Sequence, residues 1–225
     1  MPDTSPPTEP GLPTVREFWD TQSSRYDVDP DHGLRDPAAR EAWRAHLTQW
    51  LPEPPPATVL DLGCCTGSLS LLALEAGHRV LGVDLSPAMV AEATEKCAGL
   101  DATFTVGDAA DPPVAGPVDA VLARHLLWTL PDPQAALRRW LRLLRPGGRL
   151  VLVEGRWWPA GAVEPYAQGT ETMPWQGGVR AEDLVAALDP LVERLEVVCL
   201  SSESVLWGRD VDDERYAVVA TAATG

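Results

Sequence analysis

The sequence predicts an α/β protein: a doubly wound, mostly parallel sheet preceded by a helical N-terminal segment. Three observations carry this. From residue 57 onward, short apolar runs bounded by Gly, Pro or Asp alternate with segments of helical period. The first of these runs breaks into a glycine-bearing loop, VLDLGCCTGSLS at 59–70, and then resumes with a helical pattern. The chain has 225 residues and 45% hydrophobic content, enough for one sizeable domain and ordinary for a globular protein.

Taken in order, residues 1–13 are rich in Pro, Ser and Thr and read as a mobile tail. Residues 14–56 form a helical lid or cap segment. Within it, VREFWDTQSSRY carries Phe18, Trp19 and Tyr26, large aromatics that require a docking surface. DPAAREAWRAHLTQWL places Trp43, Leu47, Trp50 and Leu51 at helical spacing, with Asp36 as N-cap and Pro37 at the first helical position. PEPPP at 52–56 ends that helix and acts as a short stiff spacer.

The remainder, 57–225, reads as the sheet domain. ATVLDL is a strand, GSLSLLALEAG a helix closed by Gly77, and RVLGVDL a second strand. Ser86 caps PAMVAEATEKCAG, with Pro87 at its first position. ATFTVGD and VDAVLAR are the third and fourth strands. DPQAALRRWLRLLRPGG is amphipathic, with Leu137, Trp140, Leu141 and Leu144 on one face, and RLVLVEG is the fifth strand. An irregular insertion at 156–180 precedes a helix near 181–188. Two further strand-like runs, LVERLEVVCL and ERYAVVATA, are joined by SSESVLWGRDVDD in a hairpin-like connection, an antiparallel closing pair.

Charge and composition exclude several functions. With 18 basic and 33 acidic residues the net charge is −15, which disfavours a nucleic-acid partner. The N-terminal stretch lacks the basic start and apolar core of a signal peptide, and no apolar run is long enough to span a bilayer. The expectation is a cytoplasmic protein with reduced cysteines and no membrane partner. Its four cysteines, Cys64, Cys65, Cys97 and Cys199, never show the two-residue gap of a zinc site, so no metal is expected.

In an open parallel sheet, ligands sit beyond the C-terminal strand ends. The loop DLGCCTG lies there, with Gly63 and Gly67 permitting a tight turn and close approach to a ligand. The second strand ends in Asp84, where a carboxylate can accept hydrogen bonds from both hydroxyls of a ribose. The third ends in Asp108 followed by Ala109, where a carboxylate and a backbone N–H can meet an adenine edge. Two nucleoside cofactors suit such a site. A dinucleotide requires Gly-x-Gly-x-x-Gly, and here the third position is Cys65 and the sixth Ser68.

The pattern instead resembles the first motif of class I S-adenosylmethionine-dependent methyltransferases. The resemblance continues through VLGVDLSPAMV, FTVGDAADPP and VDAVLARHLLWTLPDPQAALRRWLRLLRPGGRLVLVEG, roughly residues 57–155. It implies a Rossmann-like, seven-stranded sheet whose last strand is antiparallel, and S-adenosylmethionine as cofactor. Carried over by position, Asp61 and the Gly63 carbonyl would hold the amino end of the methionine. Cys64, Cys65 and Gly67 would line the loop. Asp84 would take the ribose, Leu85 and Met89 would pack on the adenine, and Asp108 and Ala109 would read its edge. Arg124 would contact the methionyl moiety, and Tyr26 would cover the cofactor from the lid. Met89 reads equally as helix core and Tyr26 as a packing anchor. Cys65 departs from the family, which most often has Gly there. Either that position needs a positive φ, which strains Cys, or it needs clearance, which Cys narrows.

Methyl transfer rests largely on alignment and on excluding water, with a base required only where the acceptor must lose a proton. His125, in the turn after the fourth strand, is the first candidate for that base; its alternative role is to shape the turn. His32 is a second if its segment folds over the site, and otherwise a solvent-exposed loop residue. Glu154, at the end of the fifth strand, is a third, as base or binder of a cationic amine, or else a surface carboxylate. Trp128, Trp157, Trp158 and Tyr166 are candidate acceptor-binding residues, with Trp175 beside them; each reads alternatively as an anchor for the insertion. An aromatic, acid-flanked pocket suits a planar or cationic small molecule. The base-amino- and amide-methylating motif [DN]PP[YF] is absent, since that place reads ARHLLW. The expected acceptor is a small molecule methylated on O or N, such as a secondary metabolite. The competing readings are a non-catalytic S-adenosylmethionine-binding partner or sensor, a nicotinamide-dependent oxidoreductase and a thiol-redox enzyme.

Overall fold

A computed structural model describes residues 13–158 and 164–224. The tail expected over 1–13 therefore lies, apart from Pro13, outside the described residues, as do positions 159–163 of the insertion.

The N-terminal segment is helical, as its caps dictate. Helix α1 (Val15–Tyr26) begins with a reciprocal capping box, Thr14 accepting from the Glu17 N–H while the Glu17 carboxylate takes the Thr14 N–H at 2.8 Å. It buries none of its residues fully, because its aromatic face borders cavities rather than core. One short turn, α2 (Pro30–Gly33), follows. Helix α3 (Pro37–Trp50) starts where Asp36 accepts from the N–H groups of Ala38 and Ala39 at 2.8 and 2.9 Å. Its buried face is Ala39, Trp43, Leu47 and Trp50, the helical spacing seen in the sequence. The Arg149 guanidinium donates to the carbonyls of Gln49, Trp50 and Leu51, satisfying orphan acceptors at its C-terminus.

The sheet domain then alternates: β1 (Thr58–Leu62), α4 (Ser68–Glu75), β2 (Arg79–Asp84), α5 (Pro87–Lys96), β3 (Ala102–Val106), β4 (Val118–Arg124), a 3₁₀ turn at Leu127–Thr129, α6 (Pro133–Leu143), β5 (Leu144–Arg156), α7 (Ala181–Leu188), β6 (Arg194–Cys199), α8 (Ser204–Trp207) and β7 (Glu214–Thr221). The seven strands are ordered β3-β2-β1-β4-β5-β7-β6. Strands β1 to β5 pair in parallel. β7 lies between β5 and β6 and is antiparallel to both. A single strand, the last in sequence, thus reverses direction, as expected of the closing strand, and it is inserted between β5 and β6. The connection between β6 and β7 is longer than a hairpin, because α8 folds back to bury Leu206 and Trp207.

Two apolar layers cover the sheet. One holds Leu137, Trp140, Leu184 and Tyr216 beneath α6 and α7. The other holds Trp43, Leu47, Leu69, Leu72 and Trp207 beneath α3, α4 and α8. Trp43 donates its ring N–H to the Leu206 carbonyl at 3.2 Å, and Trp140 to that of Ala109 at 2.7 Å, so neither ring leaves a buried donor unpaired. Among the described residues, no helix is long and apolar enough to cross a membrane.

Candidate active site

The strand order reverses between β1 and β4, and three adjoining cavities open at the C-terminal ends of these strands. The first, about 230 Å³, is lined by Gly63, Cys65, Asp84, Leu85, Met89, Asp108, Ala109, Arg124 and His125, among others. These nine were singled out in the sequence. Tyr26 joins them from α1. The sequence missed Trp19, Leu126, Thr129, Leu130 and Met173, which line the same space. Trp19 had a signal, an aromatic with no core partner in its own segment. Met173 had none.

The loop after β1 is built for close approach. The N–H groups of Gly63 and Cys64 both donate to the Val83 carbonyl, at 2.8 and 3.1 Å. A Cβ on Gly67, at φ +79°, would stand 3.0 Å from that of Ala93 on α5. Cys65 has φ +49°, so the position does require the left-handed region, and the cysteine carries the strain of roughly 1–2 kcal/mol that glycine avoids. Its thiol sits 3.1 Å from the Tyr26 hydroxyl and 3.3 Å from the Gly63 carbonyl. Burial pushes that thiol well above the ordinary cysteine range, with the Asp84 carboxylate adding to the effect. Cys64 is buried and burial pushes its thiol up too. Neither environment favours a reactive thiolate.

Asp84 accepts from the Cys65 N–H at 2.9 Å and the Ser86 N–H at 2.9 Å, which orients its carboxylate at the end of β2. Burial raises its pKa. Asp61 lies behind the loop in a narrow cleft that also meets Tyr26, Gly63 and Arg124. It accepts from the Ser70 hydroxyl at 2.5 Å, and burial pushes its carboxyl up to about 6. Met89 is 1% exposed, so it is core and cavity wall at once. Asp108 accepts from the Ala110 N–H at 2.8 Å.

Polar contacts hold the lid on this cavity. Asp20 of α1 accepts from the Ser86 hydroxyl and from the Ala88 N–H, adding a carboxylate to the α5 N-terminus. Asp27 accepts from Thr66 at 2.5 Å and from the Lys96 ammonium at 2.8 Å, and its carboxyl titrates low. That lowering is won by the Lys96 and Thr66 hydrogen bonds against burial, which acts the other way. The Arg124 guanidinium donates to the Asp31 carbonyl and lies 5.2 Å from the Trp43 ring centre, tying α2 to the end of β4.

A second cavity, about 720 Å³, opens beside the first and shares Trp19, Tyr26 and His125 with it. Trp128, Trp157, Trp158 and Trp207 form its aromatic walls, and Asp29, Asp31, His32, Asp213 and Arg215 its polar ones. A third, about 410 Å³, adds Phe18 and Tyr166. The sequence-selected Trp128, Trp157, Trp158 and Tyr166 thus gather around one region. Trp175 instead packs half-buried on the core. The His125 and Trp157 ring centres are 4.9 Å apart, near perpendicular.

Two of the three candidate bases stand differently from expectation. Glu154 is 0% exposed, neither a surface carboxylate nor a wall of these three cavities. Its Oε1 accepts from the Leu126 and Leu127 N–H groups, both at 3.0 Å, so it caps the turn that presents His125. Burial pushes its carboxyl up to about 8. His32 is not an exposed loop residue: it lies in α2, half-buried, stacked on Tyr26 at 4.2 Å with a 6° tilt. Burial, and next Arg124, lower its pKa. His125 has φ +54° and donates its N–H to the Val153 carbonyl at 2.9 Å, while its Nε2 is buried without a partner. Burial, with Arg124 next, lowers its pKa well below the usual value, so the ring is neutral near pH 7.

A family model described as a methyltransferase domain matches residues 60–152. A ubiquinone biosynthesis O-methyltransferase from Xanthomonas axonopodis pv. citri is 34% identical over 142 residues, covering 61% of this chain and 56% of that protein. A demethylmenaquinone methyltransferase from Thermus thermophilus is 37% identical over 146 residues, covering 61% of this chain and 66% of that protein. The chain thus spans between about half and two thirds of the length of these relatives. The N-methyltransferase NodS from Bradyrhizobium japonicum, solved with S-adenosylhomocysteine, superposes with a TM-score of 0.66 at 18% identity, over 91% of this chain and 98% of that one. With motif order, strand order and family match in agreement, the chain carries a methyltransferase domain of the class I, S-adenosylmethionine-dependent family.

Proposed function

We propose that the chain transfers a methyl group from S-adenosylmethionine to an oxygen or nitrogen of a small, planar acceptor such as a secondary metabolite, in the cytoplasm. One observation carries this reading: Trp19, Tyr26 and His125 line both the strand-end cavity and the larger aromatic cavity beside it. A sulfonium methyl held at the end of the first would face an acceptor held in the second.

In this reading the chain's residues divide the work. Asp84 takes the ribose hydroxyls; Asp108 and Ala109 take the adenine edge, with Leu85 and Met89 against its faces. Asp61 and the Gly63 carbonyl take the methionine ammonium, and Arg124 its carboxylate. Cys64 and Gly67 shape the loop, and Cys65 fills its centre. The four carboxylates and carbonyls named suit a ligand with hydroxyl and ammonium donors, and the glycine clearance suits a close-lying nucleoside. The neutral His125 ring, capped in place by Glu154, can accept the acceptor's proton as the new bond to carbon forms. The tryptophans and Tyr166 hold a planar ring and exclude water.

The test is calorimetric titration with S-adenosylmethionine, S-adenosylhomocysteine and NAD(H), followed by mass spectrometry of candidate phenols and amines incubated with protein and cofactor. Micromolar binding of the sulfur compounds and a methylated product are expected; binding of NAD(H) instead would sink the proposal. A second reading, a non-catalytic S-adenosylmethionine sensor, draws on Cys65, whose thiol stands against the Gly63 carbonyl where a methionine ammonium would bind. It requires binding without turnover of any acceptor.

A further inference from the structure

We propose that Asp31, His32 and His125 form a binding site for one divalent transition-metal ion of the zinc type, placed at the wall between the two cavities. The proposal deepens the methyl-transfer reading, because it assigns the larger cavity a Lewis acid for a hydroxylated acceptor.

The geometry comes first. One donor atom from each of the three side chains lies within 4.8 Å of the other two. Donors on a single zinc ion, bonded at about 2.0–2.2 Å in tetrahedral array, lie roughly 3.4 Å apart. Rotations about the side-chain bonds of Asp31 and His32, in the four-residue α2, can supply the remaining ångström or so. The second observation is independent of that spacing. His125 Nε2 is buried and has no hydrogen-bond partner; His32 Nδ1 is also buried without a hydrogen bond, the Asp29 carboxylate standing 3.5 Å away. A buried ring nitrogen without a partner costs desolvation free energy that a metal bond or a ligand would recover. All three residues line the larger cavity, so the face of the site away from the protein is open to a small molecule.

The donor set selects the metal. Two imidazoles and one carboxylate suit zinc, cobalt or nickel, whereas magnesium and calcium require several oxygens. Neighbouring charge is mixed: Arg124 and Arg215 oppose positive charge at His125, while Asp29, Asp31 and Asp213 line the same cavity. Arg215 approaches Asp31 to 3.7 Å, but its guanidinium is already held by Asp213 at 2.7 and 3.0 Å and stacked over Trp207 at 4.5 Å. Asp31 therefore offers part of one carboxylate, which leaves the nitrogens to dominate. Three protein ligands with an open face are the arrangement of catalytic rather than structural zinc. There, with His125 Nε2 bound to the metal and so replaced as proton acceptor, a bound acceptor hydroxyl would release its proton to water at neutral pH. Its oxygen pair would form the new O–CH₃ bond while the C–S pair stays on sulfur.

The experiment uses full-length protein dialysed against chelator, titrated with Zn²⁺ and Mg²⁺ calorimetrically and with Co²⁺ by visible absorption. Expected are one equivalent of Zn²⁺ at micromolar or lower Kd, cobalt bands in the visible, and no saturable Mg²⁺ binding. His32→Ala and His125→Asn, the latter keeping a residue that tolerates positive φ, should each weaken Zn²⁺ binding at least about tenfold. Asp31→Asn, nearly isosteric and keeping the carbonyl that Arg124 engages, provides a third variant should either histidine change disturb the thermal transition. Absence of stoichiometric Zn²⁺ binding by the parent protein overturns the proposal, as does equal affinity in the folded variants. S-adenosylmethionine titration of the metal-free parent reports separately on the strand-end cavity, so failure of one reading is distinguishable from failure of the other.

Discussion

The two main cavities are assembled in different ways. Most of the strand-end cavity comes from one continuous stretch, Gly63 to Pro131, in which successive strands deliver one polar group each to the same edge of the sheet. The aromatic cavity draws on four separated pieces: Trp19 to His32, His125 to Trp128, Trp157 with Trp158, and Trp207 to Arg215. Parallel strand order determines where the first set meets. The second meets only because α1, the insertion and α8 all pack over the same strand ends. A site of the first kind resists change in its surroundings and depends on single carboxylates. A site of the second kind depends on many partial contacts, and its lid is shared by both.

The largest expected effect falls on a single carboxylate. Asp84→Ala removes two charge-assisted hydrogen bonds to a ribose, each worth about 1.5–3 kcal/mol, so S-adenosylmethionine affinity should fall at least about 100-fold by calorimetry. A loss below threefold would mean that the strand-end cavity does not hold a nucleoside in this way. Next comes the lid. Asp20→Ala frees the α5 N-terminus and loosens α1, and because Trp19 and Tyr26 border both cavities, cofactor Kd and acceptor KM should both rise about tenfold. A change confined to one of them would show that the lid serves one cavity only.

Asp61 gives a pH signature. Its carboxyl titrates at about 6 in the folded chain, above its ordinary value of 3.8. A cofactor ammonium requires the ionised form, so below pH 6 binding must expel a proton. Affinity should fall by up to about tenfold per pH unit below 6 and be flat above it. Asp61→Asn should abolish that slope, and an unchanged slope would place the ammonium elsewhere.

Smaller again is Trp157→Ala. One partial wall of the aromatic cavity is lost, worth about 0.5–1.5 kcal/mol, so acceptor KM should rise several-fold with cofactor Kd within twofold. If both parameters move together, the cavities are not separable. The smallest effect concerns Glu154. Its folded pKa of about 8 exceeds the unfolded value of 4.5, so the folded state holds a proton that the unfolded state has lost across that window. Stability therefore falls as pH rises from about 4.5 to 8 and levels off above. Glu154→Gln keeps the Oε1 acceptor without the charge, and its melting temperature should exceed that of the parent by a few degrees at pH 8 but not at pH 5.

The same contrast explains what could be read in advance. Asp84 and Asp108 were legible because each closes a strand-like run, and parallel strands bring their C-termini together; Asp61 was legible only through the resemblance of its loop. Cys65 was legible as a departure; only the backbone, at φ +49°, decided that strain rather than clearance was at issue. Glu154 was misread because strand position says which end a side chain occupies, not whether a neighbouring turn covers it. Trp207 was missed because its segment, SSESVLWGRDVDD, looks like a polar connection, and Arg215 because it opens the last strand-like run; α8 then folds Trp207 under Arg215. The antiparallel closing strand was expected; its insertion between β5 and β6 depends on pairing alone.

By itself, then, the sequence determined the alternation of strands and helices, the caps at Asp36 and Ser86, the nucleoside-type loop and the acidic residues at the strand ends. These follow from local periodicity and turn chemistry, which act over a few residues. The tertiary structure alone decided that β7 runs between β5 and β6, that Glu154 braces the turn carrying His125, and that Asp31 and His32 meet His125 some ninety residues further along. Those are contacts between distant segments. They exist because burying the tryptophans of α3 and α8 brings their chain neighbours together, a cost in ordering that only the folded whole offsets.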